Sequence, residues 1–287
     1  MRTRSIGTFT VSAIGLGGMP MSIEGRPDPS RSISAIHAAL DAGINFFDTA
    51  DAYHLEANEV GHNESLIAEA LAGYGGGDTS DVLIATKGGH LRPGDGSWTV
   101  DGRPEHVKAA CDASLARLGV EAIGLYQFHR PDPAVPYAES VGALRELLDA
   151  GKIRHAGISN ANVQQIKQAR QILGEDLVSV QNQFSPAFRS SEPELVLCDE
   201  LGLAFLPWSP FGGITRSSEL GSRFAEFAKV AEAHGVSAHQ VTLAWMLAKS
   251  PVVVPIPGSS RPETIIDSAA AVELLLDDEE LLRLDAV

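Results

Sequence analysis

The chain has 287 residues, 44% of them hydrophobic, and a formal net charge of −15 at pH 7. This charge repels nucleic acid and anionic membrane surfaces, so we expect neither as a partner. No stretch resembles a secretory signal, and no apolar run approaches the roughly 18 residues of a membrane span, so the sequence predicts a soluble, cytoplasmic protein.

The first half of the chain alternates short apolar runs with amphipathic segments, which predicts alternating strands and helices. Residues 5–12 alternate polar and apolar side chains around Gly7 and predict a small hairpin. Strands are expected at AIGLG, INFFD, VLIAT and GLYQF. Helices are expected at about 30–42, 64–71 and 104–118, the last beginning at Pro104 and carrying an apolar stripe that includes Cys111.

The second half repeats the pattern, with strands at IRHAGIS, LVSVQ, LAFLP and VVVPI. Helices are expected at about 137–150, 162–173, 192–201, 224–234, 238–248 and from Pro262, followed by the acidic tail DDEELLRLDAV. A longer loop is expected at 209–221. No linker divides the chain, so the predicted fold is α/β, a (β/α)₈ TIM barrel in which residues 1–287 form a single domain and the hairpin closes the barrel bottom. Cys111 and Cys198 are interpreted as packing residues, because two distant thiols without a CxxC give no disulfide framework.

Four polar side chains follow predicted strands: Asp48 and Tyr53 in INFFDTADAYH, Lys87 in VLIATKGG and His129 in LYQFHRPDP. In a parallel barrel these positions share the face on which active sites are built. Lys87, fixed by Asp48, would favour the phenolate of Tyr53 and make it a better general acid than a phenol of pKa about 10. His129 would orient a polar substrate atom. The set predicts protonation of a carbonyl oxygen while a hydride reaches the attached carbon.

At these residues the chain resembles the aldo-keto reductase family. The matching stretches are GLGGMP, FFDTADAYH, IATKGG, LYQFHRPDP, GISN, VQNQFSP, LPWSPFGG and PIPGSS, in the family's order. The resemblance implies NADPH-dependent reduction of an aldehyde or ketone to the alcohol, with NADH as the alternative cofactor. The HRPDP form also occurs in bacterial reductases resembling pyridoxal reductase, which makes pyridoxal one candidate substrate.

The cofactor is not expected in a Rossmann site, because Gly15-Leu-Gly17-Gly18-Met-Pro20 places proline where the third glycine of G-x-G-x-x-G belongs. Barrels instead bind phosphate in the loops after strands seven and eight. SPFGG exposes backbone N–H groups in a glycine-permissive loop, and IPGSSRPE precedes a helix N-terminus. Both loops therefore fit a phosphate-binding role.

The resemblance implies that Ser159, Asn160 and Gln181 hold the nicotinamide carboxamide and that Trp208 stacks on the ring. The pyrophosphate would follow SPFGG, and the adenosine end would lie at Ser259 and Arg261. The full set of expected cofactor residues is Gly18, Asp48, Ser159, Asn160, Gln181, Trp208, Ser209, Pro210, Phe211, Gly212, Ile256, Gly258, Ser259 and Arg261.

One departure from the family pattern concerns the choice of nucleotide. Thr264, Asp267 and Ser268 stand where many members carry Arg and Glu-Asn, which weakens strict selectivity for NADPH. The guanidinium of Arg261 would match a 2′-phosphate bidentately, and we therefore favour NADPH.

Two other classes of function stay open. A redox-sensing regulatory subunit would bind nucleotide with little turnover, although no appended interaction segment or obligate protein partner is implied. A metal-dependent barrel hydrolase would need ligands, but the nine histidines form no H-x-H or H-E-x-x-H, so no metal is expected. Turnover of a panel of carbonyl compounds separates these classes from a reductase.

Overall fold

The computed structural model describes residues 1–213 and 217–287; residues 214–216, within the predicted long loop, lie outside the described residues. The strands are β1 (Thr3–Ile6), β2 (Phe9–Ser12), β3 (Leu16–Gly17), β4 (Phe46–Asp48), β5 (Leu83–Gly88), β6 (His90–Leu91), β7 (Thr99–Val100), β8 (Ile123–Phe128), β9 (Ile153–Ser159), β10 (Leu177–Gln181) and β11 (Ala204–Phe205). The helices are α1 (Pro29–Asp41), α2 (His62–Ala72), α3 (Pro104–Leu118), α4 (Tyr137–Asp149), α5 (Val163–Leu173), α6 (Glu192–Leu201), α7 (Leu220–Arg223), α8 (Ala225–His234), α9 (Ala238–Lys249), α10 (Pro262–Ala270) and α11 (Asp278–Asp285).

Seven parallel strands of the described chain form one curved sheet in the order β11-β10-β9-β8-β5-β4-β3. The segment 252–258 takes the eighth place, with parallel bridges from Phe205 to Val253 and from Gly17 to Gly258. It forms no regular strand because Pro255 and Pro257 have no N–H to donate to a ladder. The fold is therefore the predicted (β/α)₈ barrel, with its eighth strand reduced to a bridging segment.

The hairpin of β1 and β2 closes the barrel at the amino ends of the strands, as predicted. Ile6 and Val11 are fully buried and pack in the cluster that contains Phe46 and Val178 from the barrel strands. Gly7 turns the hairpin with φ +56°, and a Cβ at that position would lie 2.8 Å from the His155 ring and from Val178. Glycine is needed there both for the backbone angle and for the close approach.

Three elements were not predicted. The hairpin of β6 and β7 has only two residues in each strand, too few for a periodic signal. The acidic tail, to which the sequence analysis assigns no element, contains helix α11, which begins with a capping box in which Asp277 and Glu280 satisfy each other's backbone N–H groups. The D-x-x-E spacing of this box was visible in the sequence. The third is the short helix α7, which begins at Leu220 within the predicted loop.

The helices surround the sheet and bury a large apolar core. Phe184 stacks on Trp245 with ring centroids 5.5 Å apart, which joins the loop after β10 to α9. Cys111 and Cys198 are both buried free thiols, so their prediction as packing residues is confirmed. None of the helices in the described residues is long and apolar enough to cross a membrane.

Candidate active site

Lys87 lies at the centre of the four residues predicted as catalytic. It is the next-to-last residue of β5 and is fully buried, and its Nζ donates hydrogen bonds to Asp48 Oδ2 at 2.7 Å and to the Tyr53 hydroxyl at 3.1 Å. A third bond, 2.8 Å long, goes to the backbone oxygen of Thr49. His129 follows β8, and its ring lies edge-on to that of Tyr53 with centroids 5.8 Å apart. The structure thus brings all four residues together at the carboxyl ends of neighbouring strands.

Asp48 is held by several donors at once. Besides Lys87, Gln181 Nε2 donates to its Oδ1 at 2.8 Å, and Gln127 Nε2 approaches the same oxygen at 3.4 Å. Gln127 lies on β8 and Gln181 on β10, and β10 is the strand across the barrel from β4, so the carboxylate is also held from the far side. A buried ion pair is stabilised when further hydrogen bonds satisfy its carboxylate, and these two amide groups supply them.

The acidity of Tyr53 is set by opposing effects. Burial raises the pKa of the Tyr53 phenol, and the charge of Lys87 lowers it, with a net direction above the ordinary value. The predicted influence of Lys87 on the pKa of Tyr53 has the right sign but does not dominate, because the effect of burial is larger. For Lys87 itself burial lowers the pKa, but Asp48 and Tyr53 outweigh it, so the ammonium stays charged.

His129 is a neutral imidazole. Burial, reinforced by the positive charge of Lys87, holds the pKa of His129 well below its ordinary value. His90 lies edge-on to His129 with ring centroids 4.8 Å apart, and burial with the nearby Arg130 and Lys87 lowers the pKa of His90 to about 4. Neither ring carries a proton to donate as an imidazolium at neutral pH. His129 can therefore donate or accept one hydrogen bond but adds no charge.

A cavity of about 1040 Å³ opens above Tyr53 and His129. Most of the expected cofactor residues line it: Asp48, Ser159, Asn160, Gln181, Trp208, Ser209, Pro210, Phe211, Ile256, Gly258, Ser259 and Arg261. Its lining residues extend along the carboxyl ends of the strands, from the catalytic residues past the loop after β11 to the start of α10. Lys87 lies behind its wall, fully buried.

The three residues expected at the carboxamide are fixed by one another. Ser159 Oγ donates to the backbone oxygen of Gln181 at 2.8 Å and accepts from Asn160 Nδ2 at 3.0 Å. Asn160 Nδ2 also reaches the backbone oxygen of His129 at 3.0 Å, and Asn160 adopts a left-handed φ of +57°. Since a non-glycine residue pays a strain in that region, the conformation marks a position determined by its surroundings.

Residues of both loops proposed for phosphate line the cavity. In SPFGG, Ser209 has a φ of +50° and Gly212 a φ of +84°, and the N–H of Gly212 closes a turn onto Ser209. In the second loop, Ser259 Oγ lies 3.0 Å from the backbone oxygen of Arg261, the residue that precedes α10. The side chain of Arg261 is half exposed, 3.8 Å from Glu263.

Two expected cofactor residues do not line the cavity. They are Gly18 and Gly212, and their neighbours Gly17 and Gly213 line the cavity instead. Gly18 instead packs against Asn63, whose Oδ1 would lie 2.3 Å from a Cβ at that position.

Among the lining residues, His90, Arg130 and His239 were missed. His90 belongs to the β6–β7 hairpin, a segment without periodic pattern, where its ring stacks on that of Trp98 with centroids 4.8 Å apart. Arg130 and His239 also line the cavity. For Arg130 the sequence did offer a signal, because it directly follows His129 at a strand end. In the described residues, no group of three or more His, Cys, Asp or Glu side chains could hold a metal ion.

Comparison with known proteins identifies the family. A sequence profile of the aldo/keto reductase family matches residues 13–287. The 6-dehydroglucose reductase of Novosphingobium aromaticivorans is 36% identical over 275 residues, which cover 93% of this chain and 88% of that protein. An uncharacterized oxidoreductase of Schizosaccharomyces pombe is 35% identical over 287 residues, with coverage of 99% and 89%. The crystal structure of an aldo/keto reductase from Klebsiella pneumoniae, in complex with NADP and acetate, matches with a TM-score of 0.82 and 27% identity over 99% of this chain and 94% of that one. The chain belongs to the aldo/keto reductase family.

Proposed function

We propose that this protein is an NADPH-dependent reductase of aldehydes or ketones. The observation that carries the proposal is the buried Lys87 ammonium, which bridges Asp48 and the Tyr53 hydroxyl beneath a large cavity. The names of the relatives agree with it, since one is called a reductase and another was solved with NADP. Pyridoxal stays one candidate substrate.

Tyr53 would act as the general acid. Its hydroxyl accepts a hydrogen bond from Lys87 and donates none within the described residues, so its proton is available to a group in the cavity. As a carbonyl oxygen gains electrons, the phenol transfers this proton, and the fixed ammonium stabilises the phenolate left behind. Neutral His129 would donate a hydrogen bond to the same oxygen and fix the orientation of the carbonyl.

The cavity fits a dinucleotide. It joins the catalytic residues to two glycine-containing loops and to the start of α10, as a molecule with a reactive ring and a distant phosphate requires. Ser159, Asn160 and Gln181 would hold the carboxamide, Trp208 the ring face, and Arg261 the 2′-phosphate. The bound cofactor supplies the hydride. Turnover is tested by following loss of NADPH absorbance with a panel of aldehydes and ketones.

Saturating cofactor should stabilise the fold. Ligand at about a hundredfold over its dissociation constant contributes roughly 2.7 kcal/mol, which for a chain of this length raises Tm by on the order of 5 to 10 °C. Differential scanning calorimetry with NADPH, NADH and, as control, free adenosine checks the shift. One cooperative transition would also agree with the predicted single domain 1–287. No shift with either nucleotide would contradict the proposal.

Arg261→Ala should weaken NADPH selectively. Loss of a charge-assisted hydrogen bond costs about 1.5 to 3 kcal/mol, so we expect NADPH affinity to fall by that amount while NADH binding hardly changes. Arg31→Ala is the matched control, because Arg31 also lies near Glu263, at 4.0 Å, but does not line the cavity. Titration calorimetry measures both nucleotides. Equal losses would show that Arg261 contacts a part common to NADH and NADPH.

A further inference from the structure

Arg130 stands between two cavities. It directly follows His129 at the end of β8 and lines the main cavity on one side and a second cavity of about 370 Å³ on the other. The two cavities share Arg130, Asn160 and Trp208. Arg130 is also close enough to the two active-site histidines for its charge to lower the pKa of both His90 and His129. Its guanidinium therefore belongs to the substrate side of the site.

Arg130 is exceptional among the arginines of residues 1–213 and 217–287. Each of the others is exposed or has a hydrogen-bond or ion-pair partner, whereas Arg130 is half-buried and has neither. Its Nε is shielded from solvent and lacks an acceptor. A guanidinium has five N–H donors and no acceptor, so only a group rich in electron pairs can satisfy it.

The nearby carboxylates are engaged elsewhere or too far away. Asp48 pairs with Lys87, and Glu24 at the cavity mouth pairs with Arg92. Glu194 lines the second cavity but does not come within the 4.0 Å of an ion pair with Arg130. Removing a cation from water without a counter-charge is unfavourable, and burial lowers the pKa of Arg130 accordingly. An incoming anion would relieve that penalty.

A second donor at the shared wall also lacks an acceptor. Trp208 Nε1 is shielded from solvent and makes no hydrogen bond to a described residue. An indole N–H can only donate. Arg130 Nε and Trp208 Nε1 are thus two donors without acceptors among the described residues, and both lie on the wall between the cavities. A ligand group with several acceptor oxygens would suit them.

We propose that Arg130 is a specificity-determining residue that recognises an anionic group, a carboxylate or a phosphate, on the carbonyl substrate. The inference rests on the proposed carbonyl reduction and names its substrate class: an aldehyde or ketone whose carbonyl lies at Tyr53 and whose anionic group reaches the wall between the cavities. Arginine suits this task because its planar fork matches both anions bidentately.

Matched substrate pairs test the proposal. The carboxylate pairs are 4-formylbenzoate against 4-formylbenzamide, and succinic semialdehyde against its amide; the phosphate pair is glyceraldehyde 3-phosphate against glyceraldehyde. Each pair differs mainly in charge. We expect wild-type kcat/KM to favour the charged member in at least one pair, and to lose part of the preference as salt rises. The pair that shows the preference separates a carboxylate from a phosphate.

Substitution of Arg130 then removes the preference. Arg130→Gln should lower kcat/KM for the preferred charged aldehyde by about 10- to 100-fold, the value of a charge-assisted hydrogen bond, chiefly through KM. The neutral partner should change by less than about twofold, and Arg130→Lys should restore part of the loss. Arg154→Gln is the matched control, since it removes the same charge from an exposed position at the opposite end of the barrel. Absence of a preference in every pair, or equal losses for both members in Arg130→Gln, would overturn the inference.

Failure of the proposed reaction is distinguished by binding. If no aldehyde is reduced, the proposed function fails, and calorimetry of 4-methylbenzoate against 4-methylbenzamide with the NADP⁺-saturated protein tests Arg130 alone. Weaker binding of the benzoate to Arg130→Gln than to wild type supports the anion site. Equal binding overturns it.

Discussion

Tyr53→Phe should lower turnover by about 10²- to 10⁴-fold and leave nucleotide affinity nearly unchanged. The substitution keeps the ring, and with it the edge contact to His129 and the approach of Lys87 Nζ at 4.9 Å from the ring centroid. It removes only the proton that we assign to the carbonyl oxygen. Steady-state kinetics and titration of the nucleotide measure the two quantities separately.

The matched control is Tyr137→Phe. Tyr137 lies on α4, away from the cavity, and its hydroxyl is shielded from solvent and makes no hydrogen bond within the described residues. This variant should keep wild-type turnover. If Tyr53→Phe retained more than about a third of wild-type turnover, on a substrate for which chemistry limits the rate, the proton donor would be another group.

Lys87→Met should cost comparable turnover. Without the ammonium nothing offsets the effect of burial on the pKa of Tyr53, so the phenol becomes a weaker acid. Activity that depends on the protonated phenol is lost as pH rises through its pKa. Because Lys87 lowers that pKa, its removal should move the falling limb of the pH–rate profile to higher pH. The Tyr53→Phe, Lys87→Met double variant should be far from additive, since the two groups act as one unit.

Stability must be measured alongside, because Lys87→Met leaves Asp48 as an uncompensated buried charge. Breaking a buried pair from one side costs about 3 to 5 kcal/mol. Asp48→Asn, Lys87→Met removes both charges and should recover much of the melting temperature without recovering turnover. Recovery of turnover together with stability would mean that Lys87 supports the fold and not the acid.

The sequence predicted the position of the four catalytic candidates because each follows a strand that its apolar run identifies. It did not predict the net pKa of Tyr53, since burial depends on loops that close over the strand ends. The exchange of Gly18 for Gly17 in the cavity lining has a related cause. Neighbouring residues of a strand face opposite sides of the sheet, and the sequence does not define the end of a strand to one residue. His90 was missed because it stands in a hairpin whose strands are too short to give a pattern. For Arg130 the type of residue was visible but its lack of a partner was not.

The closure of the barrel has a consequence for local opening. Three backbone hydrogen bonds join β3 and the residue before it to segment 252–258 and the residue after it. The N–H groups of Gly15 and Gly17 donate to the backbone oxygens of Pro255 and Pro257 at 2.9 and 3.0 Å, and the N–H of Ser259 donates to the backbone oxygen of Gly17 at 3.4 Å. The two prolines have no N–H to donate in return. Edges with few hydrogen bonds are the places where a fold separates first. This edge ends in the loop that begins at Gly258, one of the two that would hold the dinucleotide. A ligand that contacts both loops would hold this edge closed. Its binding free energy would therefore also oppose local unfolding of the barrel at this edge, so that the two free energies are linked.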